Sequence, residues 1–159
     1  MKKQDSKKLK LCFAASSGGH YEQLMMLMPL MERYESIVVT EKTVYSAKAK
    51  NVKNYYMLQV NREERSCYPR LVINAFKSLI LFMKEKPDVI ICTGVLAMIP
   101  LCLIGRLFHR KLIYIESFAK VTSPTQTGKL IYKYAEQFYV QWPQMKQFYP
   151  NAIYLGGIY

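Results

Sequence analysis

The sequence contains few acidic residues, few cysteines and few histidines. In 159 residues, 11 Asp and Glu stand against 23 Lys and Arg, which gives a formal charge of +12. The four cysteines have no C-x-x-C spacing, and neither of the two histidines lies near a cysteine pair. This argues against a zinc site and a disulfide framework, and it predicts buried free thiols in a reducing cytoplasm. The cysteines are Cys12, Cys67, Cys92 and Cys102.

A hydrophobic run long enough to cross a bilayer is also missing. The most apolar stretch, Val89–Gly105, is interrupted by Thr93, Gly94 and Pro100, and it falls short of the ~20 residues that a span requires. The apolar run after the basic N-terminus is too short for the core of a signal peptide. The sequence therefore predicts no membrane-spanning segment, and it leaves contact with a membrane surface open.

Two common phosphate-binding motifs are absent. The dinucleotide fingerprint needs three spaced glycines, but Ser16-Ser17-Gly18-Gly19-His20-Tyr21 supplies two adjacent ones. The P-loop pattern fails at Thr127-Gly128-Lys129-Leu130, because leucine replaces the required Ser or Thr. Gly128 and Lys129 are therefore interpreted as ordinary helix residues. We expect no cofactor and no metal ion.

The chain does contain a regular alternation of strand and helix patterns. The predicted strands are 9–15, 36–40, 54–60, 88–93, 111–116, 138–141 and 152–155. The predicted helices are 20–34, 68–86, 97–108 and 125–137, with a helical turn near 143–149 and an uncertain polar stretch at 41–53. This alternation, with nearly apolar central strands, predicts an α/β fold with a Rossmann-like, doubly wound parallel sheet.

Two further features concern the domain organisation and one long helix. No linker or internal repeat is visible, so residues 9–159 are predicted to form one domain after a basic arm at 1–8. In the helix at 68–86, six apolar residues share one face. They are Val72, Ile73, Phe76, Leu79, Ile80 and Met83.

The residues that follow the predicted strands are the candidates for a functional site, because doubly wound sheets bind ligands at the carboxyl ends of their strands. They are 16–20, 93–95, 116–117 and 141–142. Gly18 and Gly19 either let the backbone approach a ligand closely or only provide a connection with positive φ. His20 is either a catalytic imidazole or a helix-start residue bonded to a nearby carbonyl.

Two features favour contact with an anionic membrane. Each lysine of the basic arm adds about 1 kcal/mol of attraction near such a surface. Lys2, Lys3, Lys7, Lys8 and Lys10 all lie within the first ten residues. The methionine-rich stretch at 24–31 predicts either flexible core residues or an exposed patch that includes Met25, Met26 and Leu30. Nucleic acid is not an expected partner, since no nucleic-acid motif is visible and the positive charge is well spread.

Four segments together resemble a known family. They are SSGGHYEQL, DVIICTGVLAMIP, YIESFAKVTSPTQTGKLIY and FYPNAIYLGGIY, and they run nearly end to end. With them the chain resembles the acceptor-side subunit of the Alg-type two-component glycosyltransferases. That subunit occurs in eukaryotic dolichol-linked oligosaccharide synthesis and in bacterial capsule and exopolysaccharide clusters. More remotely, the chain is similar to the N-terminal half of the undecaprenyl-linked N-acetylglucosamine transferase of peptidoglycan synthesis.

The resemblance implies one half of a GT-B fold, the N-terminal domain, with the donor-binding half as a separate chain in a heterodimer. This expectation fits a sequence that ends about where a one-chain enzyme would cross into its second domain. The pair would transfer a hexose from a UDP-sugar, held mainly by the partner, to a polyprenyl-diphosphate-linked saccharide. The reaction would serve capsular or exopolysaccharide synthesis on the cytoplasmic face of the cell membrane. The alternative is a non-catalytic protein that recruits and stimulates a catalytic subunit.

The resemblance also implies roles for individual residues. His20 would take the proton of the acceptor hydroxyl as that hydroxyl attacks the donor's anomeric carbon. Glu116 would be a second candidate for the base, or would orient His20 or the acceptor; the alternative is a capping or hinge carboxylate. The residues expected to contact the acceptor and its diphosphate are Ser16, Ser17, Gly18, Gly19, Thr93, Gly94 and Ser117.

Overall fold

The computed structural model describes residues 8–43 and 48–159. The strands are β1 Lys10–Ala14, β2 Glu35–Glu41, β3 Lys53–Met57, β4 Val89–Cys92, β5 Lys111–Ile115, β6 Gln137–Val140 and β7 Ile153–Tyr154. The helices are α1 Gly19–Met25, α2 Met28–Arg33, α3 Cys67–Glu85, α4 Ile99–Leu107 and α5 Gln126–Ile131, with 3₁₀ turns at Leu96–Met98 and Pro143–Gln147. The described part of 41–53 contains no helix, and residues 44–47 lie outside the described residues.

The strands form one parallel sheet in the order β3-β2-β1-β4-β5-β6-β7. This confirms the predicted doubly wound architecture. The chain leaves β1 toward one edge of the sheet and leaves β4 toward the other. The loops after these two neighbouring strands therefore separate and open a crevice at the carboxyl edge.

Alternate residues of the central strands pack into two separate cores. Cys12 and Ile90 point to one face, where they join buried residues of α3, α4 and α5 such as Leu81. Phe13 and Ile91 point to the other face and pack against α1 and α2. The helix pair α1–α2 and the helices α3–α5 therefore cover opposite faces of the sheet.

Three predicted elements differ from the observed ones by more than two residues in extent. The helix expected at 20–34 is divided into α1 and α2, because Pro29, in the first turn of α2, has no N–H to continue the bonding of α1. The helix expected at 125–137 ends at Ile131, where the chain turns back toward β6. The strand expected to reach residue 60 ends at Met57, because the side chain of Asn74 binds both backbone groups of Leu58, at 2.8 and 2.9 Å.

The apolar face of α3 points outward. Its inward face carries Asn74, Ser78 and Glu85 beside Leu81 and Phe82, and all five are buried. The six apolar residues that share the predicted face are exposed, together with Tyr68. An amphipathic helix normally turns its apolar face to the core. We call α3 inverted, because its polar face lies on the core and its apolar face points outward.

The inward-pointing Glu85 lies in an ion-pair cluster at the amino edge of the sheet. It accepts hydrogen bonds from the Tyr55 hydroxyl and from Lys10 Nζ, the latter at 2.5 Å, and Lys53 Nζ lies 3.5 Å away. Burial acts to raise the pKa of Glu85, but these hydrogen bonds and the lysine charges outweigh it and lower the pKa from 4.5 to about 2.

We expect the free energy of unfolding to fall as the pH is lowered from 5 toward 2. The carboxylate of Glu85 has a lower pKa in the folded state, so its contribution is complete above the unfolded value near 4.5 and is lost as the pH falls through the folded value. The expected loss is about 2 kcal/mol. Urea unfolding across this range should show a flatter pH dependence for Glu85→Gln, and equal slopes would contradict the assignment.

The four cysteines are all free and buried, as predicted. Burial raises the pKa of Cys12 well above its ordinary value of 9, which keeps this thiol protonated and unreactive. Among residues 8–43 and 48–159, no helix is both long enough and apolar enough to cross a membrane. The same residues contain no cluster of three His, Cys, Asp or Glu side chains arranged around a metal position.

Candidate functional site

Two glycines with positive φ border the crevice between β1 and β4. Gly18 has φ 76° and precedes α1, and Gly94 has φ 120° and follows β4. A Cβ atom at Gly94 would lie 3.0 Å from Cε1 and 3.2 Å from Nδ1 of His20. The imidazole therefore packs directly on the Gly94 backbone, and only glycine combines this space with this conformation.

His20 is held in place by the neighbouring strand. The buried Thr93 hydroxyl donates a 2.9 Å hydrogen bond to the carbonyl oxygen of His20, which fixes the first turn of α1 against β4. Among the described residues, Nδ1 of His20 is buried and has no hydrogen-bond partner. Burial lowers the pKa of His20 below 6.5, while the Thr93 backbone and the Glu116 charge offset this only in part. The imidazole is therefore neutral at pH 7 and able to accept a proton.

Two hollows meet at His20. The first has a volume of about 550 Å³ and is bordered by Arg62, Tyr114 and Lys120. The second has a volume of about 520 Å³ and is bordered by Ser117. Both hollows open at the carboxyl edge of the sheet, so His20 is accessible from two sides of the crevice.

Three residues bordering the first hollow were not predicted. Arg62 follows β3, and Lys120 lies in the loop after β5, so both contribute positive charge to the hollow that His20 borders. The hydroxyl of Tyr114 is buried near Gly94 and makes no hydrogen bond to the described residues. Lys120 and Arg62 could have been found from their positions after strands, whereas Tyr114 lies within a strand and carries no such signal.

The carboxylate of Glu116 is enclosed by hydrogen-bond donors. It accepts bonds from the Ser117 backbone N–H at 2.9 Å, from the Thr125 hydroxyl at 2.8 Å and backbone N–H at 3.2 Å, and from the Tyr149 hydroxyl at 2.7 Å. The residue is 1% exposed. The Thr125 hydroxyl also caps α5 through the backbone N–H of Gly128. This geometry is that of a hinge carboxylate, which ties both ends of the loop at 117–125 together.

Gly128 makes room for this carboxylate. A Cβ atom there would lie 2.1 Å from Oε2 of Glu116 and 2.5 Å from the Tyr149 hydroxyl. Gly128 lies in α5, which confirms its interpretation as a helix residue, but no side chain fits at this position. Its absent side chain permits the close approach of the strand end to the helix.

Two buried glutamines join the site to the C-terminal segment. Gln23 and Gln141 both donate side-chain hydrogen bonds to the carbonyl oxygen of Glu116, at 3.4 and 2.8 Å. Gln141 also accepts a 3.0 Å bond from the backbone N–H of Ile158. A buried glutamine on each side of the same carbonyl fixes α1, β5 and β6 relative to one another. The position of Gln141 after a strand was part of the predicted shortlist, but Gln23 was not.

The other predicted acceptor-contacting residues divide into two groups. Gly18, Gly19 and Ser17 are at least partly exposed at the crevice, whereas Ser16 is buried.

The loop after β4 is strained, because Val95 has φ 83°, a region that β-branched residues rarely adopt. Such strain is concentrated at functional sites, where the surrounding structure imposes it.

The residues predicted for membrane contact are only partly described. Lys8 is exposed, while Lys2, Lys3 and Lys7 lie outside the described residues. Met25 is half-buried and packs against the second core. Met26 is 49% exposed on the face of the sheet that α1 and α2 cover.

Comparison with known proteins identifies the family. The family model described as "Oligosaccharide biosynthesis protein Alg14 like" matches residues 11–158. The chain belongs to this Alg14-like family. The UDP-N-acetylglucosamine transferase subunit ALG14 of Mus musculus is 30% identical to it over 180 residues, which cover 94% of this chain and 83% of that protein. The resemblance to the Alg-type subunit is thereby confirmed at the level of the family, whereas the capsule and exopolysaccharide context stays a prediction.

Solved structures show the same fold. MurG of Acinetobacter baumannii superposes with a TM-score of 0.71 at 15% identity, over 86% of this Alg14-like chain and 42% of MurG. A UDP-N-acetylglucosamine 2-epimerase from Rickettsia bellii gives a TM-score of 0.72 at 11% identity, over 95% of this chain and 45% of that one. The chain thus has the fold of one half of a GT-B protein and spans less than half of these structures. Since proteins of different activities share this fold, it does not define the reaction by itself.

Proposed function

We propose that this Alg14-like chain is the acceptor-side subunit of a two-component glycosyltransferase. It binds a saccharide linked to a polyprenyl diphosphate, and a separate GT-B half binds the UDP-sugar. The observation that carries the proposal is the neutral, partly buried imidazole of His20, packed on Gly94 at the crevice of a GT-B half. The mouse relative, named as a UDP-N-acetylglucosamine transferase subunit, supports the same assignment.

His20 acts as the general base in this proposal. The acceptor hydroxyl transfers its proton to the imidazole while its oxygen forms a bond to the anomeric carbon of the donor sugar. The bond from that carbon to the UDP phosphate oxygen breaks, and UDP leaves with the electron pair. The charge of Glu116, which acts to raise the pKa of His20, then stabilises the imidazolium that forms.

The diphosphate of the acceptor binds beside this base. Gly18 and Gly19 expose their backbone at the crevice, and Ser17 adds a hydroxyl. Arg62 and Lys120 border the same hollow as His20 and supply cations for the phosphate oxygens. Thr93 and Glu116 do not contact the acceptor, because their polar atoms are used in holding His20 and the 117–125 loop. Both are positioning residues.

The partner covers an apolar hollow that continues from this site. The hollow, of about 320 Å³, is lined by Ile113, Tyr139, Leu155 and Ile158, and the Leu155 side chain is largely exposed. It is connected to the acceptor site through the C-terminal segment, since Tyr159 borders the second hollow beside His20. Burial of this apolar surface would stabilise a heterodimer whose cleft contains His20.

The finer assignments rest on the resemblance. They are a hexose donor, a role in capsular or exopolysaccharide synthesis, and a peripheral location on the inner face of the cell membrane. UDP-N-acetylglucosamine is the first donor to test, because the mouse relative is named for it.

We expect the purified chain to have no transferase activity alone and to gain it when the donor-binding subunit is added. The chain forms one Rossmann-like sheet and matches less than half of a complete GT-B protein. Transfer of labelled sugar from UDP-N-acetylglucosamine to a short-chain polyprenyl-diphosphate saccharide measures this, with each subunit alone as control. Turnover by this chain alone would refute the two-component assignment. Turnover by the donor subunit alone would instead make this chain a recruiting protein.

A further inference from the structure

The outer surface of α3 is apolar along its whole length of about 28 Å. Seven exposed apolar side chains form it, and Phe76 and Ile80 are 65% and 69% exposed. We call this surface the α3 stripe; it consists of Tyr68, Val72, Ile73, Phe76, Leu79, Ile80 and Met83. At 100° per residue it occupies about 140° of the helix circumference, opposite the buried face. A continuous apolar surface of this extent marks an interaction site.

The orientation of α3 is fixed by polar contacts on its inward side. Asn74 holds both backbone groups of Leu58, and Glu85 forms the ion pair with Lys10. Rotation of the helix to bury the stripe would break these bonds and expose their partners. These polar contacts therefore hold α3 in the rotation that keeps the α3 stripe facing outward in the folded protein.

The charges along α3 are those that favour an anionic surface. Throughout the helix, all of which the structure describes, the single acidic residue is the buried Glu85. Arg70, Lys77 and Lys84 follow one flank of the stripe, and Arg70 pairs with Glu64 of the preceding loop at 2.9 Å. Arg70 and Lys77 also donate to the carbonyl oxygens of Gln59 and Tyr56, at 3.2 and 2.7 Å. Docking would therefore redirect their cationic ends to the headgroups while their stems stay on the apolar surface.

The apolar surface continues beyond the C-terminal end of α3. Phe108, at the end of α4, stacks on Phe82 with ring centroids 4.8 Å apart, and its neighbour Leu107 is 73% exposed. The exposed residues of α3 and of the end of α4 thus lie on the same face of the sheet.

We propose that the α3 stripe is a membrane-docking surface that enters the headgroup region of an anionic bilayer. An exposed apolar ridge flanked by cations needs no complementary groove, and a lipid interface accepts it by partitioning. Each basic residue near the surface adds about 1 kcal/mol of attraction. The stripe and not the α1 methionines makes this contact, since α1 and α3 lie on opposite faces of the sheet and a flat bilayer meets only one of them.

The stripe also orients the acceptor site, a step that rests on the proposed function. The segment at 60–63 borders the first hollow beside His20 and leads within a few residues into α3. Docking through α3 therefore brings that border of the hollow near the headgroups. A polyprenyl chain could stay in the bilayer while its diphosphate reaches Arg62 and His20.

The test is flotation of the full-length chain with phosphatidylcholine–phosphatidylglycerol vesicles and with phosphatidylcholine vesicles. The double variant Phe76→Glu with Ile80→Glu is expected to lower the partition coefficient on anionic vesicles about tenfold or more, since it places charge in the apolar layer. The matched control, Met26→Glu with Leu30→Glu, changes exposed apolar residues on the opposite face and is expected to float like the wild type. Thermal unfolding should show both variants folded, because all four positions are exposed.

A second measurement uses tryptophan fluorescence. With vesicles, the fluorescence emission of the Phe76→Trp chain should shift to shorter wavelength and be quenched by brominated lipid. The emission of the Met26→Trp chain should do neither. Unchanged flotation of the α3 variant, or equal loss in both double variants, would overturn the proposal. It would also be overturned if the α3 variant floated normally but lost binding to the donor subunit or to a second copy of the chain. Vesicle binding needs neither donor nor partner. If it fails while glycosyl transfer to a water-soluble acceptor succeeds, the docking surface is wrong and the proposed function stands. If transfer fails while vesicle binding succeeds, the proposed function is wrong and the docking surface stands.

Discussion

Replacement of His20 by alanine is expected to lower kcat of the reconstituted pair by on the order of 10²–10⁴, the range lost when a general base is removed. The fold should survive, because His20 borders two hollows and its imidazole contributes no hydrogen bond from Nδ1. Binding of the donor subunit should also survive. Steady-state transfer assays over a range of acceptor concentrations would separate kcat from KM.

The matched control is His109→Ala. His109 is exposed between α4 and β5, at the amino edge of the sheet and away from the crevice. Because burial lowers the pKa of His20, the wild-type rate should persist at pH 7 and fall only below pH 6.5 as the imidazole becomes protonated. If the two-subunit enzyme with His20→Ala had a kcat within a few-fold of the wild-type value, another group would be the base.

Replacement of Glu116 by glutamine is expected to destabilise the chain by about 2–3 kcal/mol. Both carboxylate oxygens accept hydrogen bonds, so an amide in their place turns an N–H₂ group toward the donors of Ser117, Thr125 or Tyr149. The loop at 117–125 would then lose one of its attachments. Urea unfolding measures the change directly.

The comparison with Glu136→Gln controls for the loss of one negative charge. Glu136 is exposed and its oxygen lies 3.5 Å from Arg106, so that replacement should change the free energy of unfolding by less than about 1 kcal/mol. If Glu116 were instead the general base, Glu116→Gln would lose turnover while its unfolding matched that of the control. This result would exchange the roles assigned to Glu116 and His20.

The doubly wound class of the sheet and the edge that carries the site could be predicted because they depend on local patterns. Apolar strands such as β4 are recognisable from their composition, and parallel topology places the residues after them at one edge. The turn at Gly18 and the position of His20 follow from this rule alone. The contact between His20 and Gly94 joins residues 74 positions apart, and no pattern within either segment announces it.

The inversion of α3 could not be predicted because an apolar stripe normally faces the core. The decisive groups are polar and distant in sequence: Asn74 binds Leu58, and Glu85 binds Lys10. These bonds fix the rotation of α3 about its axis, although burial of its apolar face alone would favour the opposite rotation. The role of Glu116 was open for a similar reason, because a carboxylate after a strand looks the same whether it faces a cleft or is enclosed by Thr125 and Tyr149.

The most direct test of the central claim is a titration of the isotopically labelled chain, followed by backbone amide NMR. Acceptor and donor are added separately: a short-chain polyprenyl-diphosphate saccharide and UDP-N-acetylglucosamine. The account predicts that the acceptor shifts the amide signals of Gly18, Gly19, His20 and Gly94, and that the donor leaves them unchanged. Shifts of these signals by the donor, with none by the acceptor, would contradict the assignment of this chain as the acceptor half.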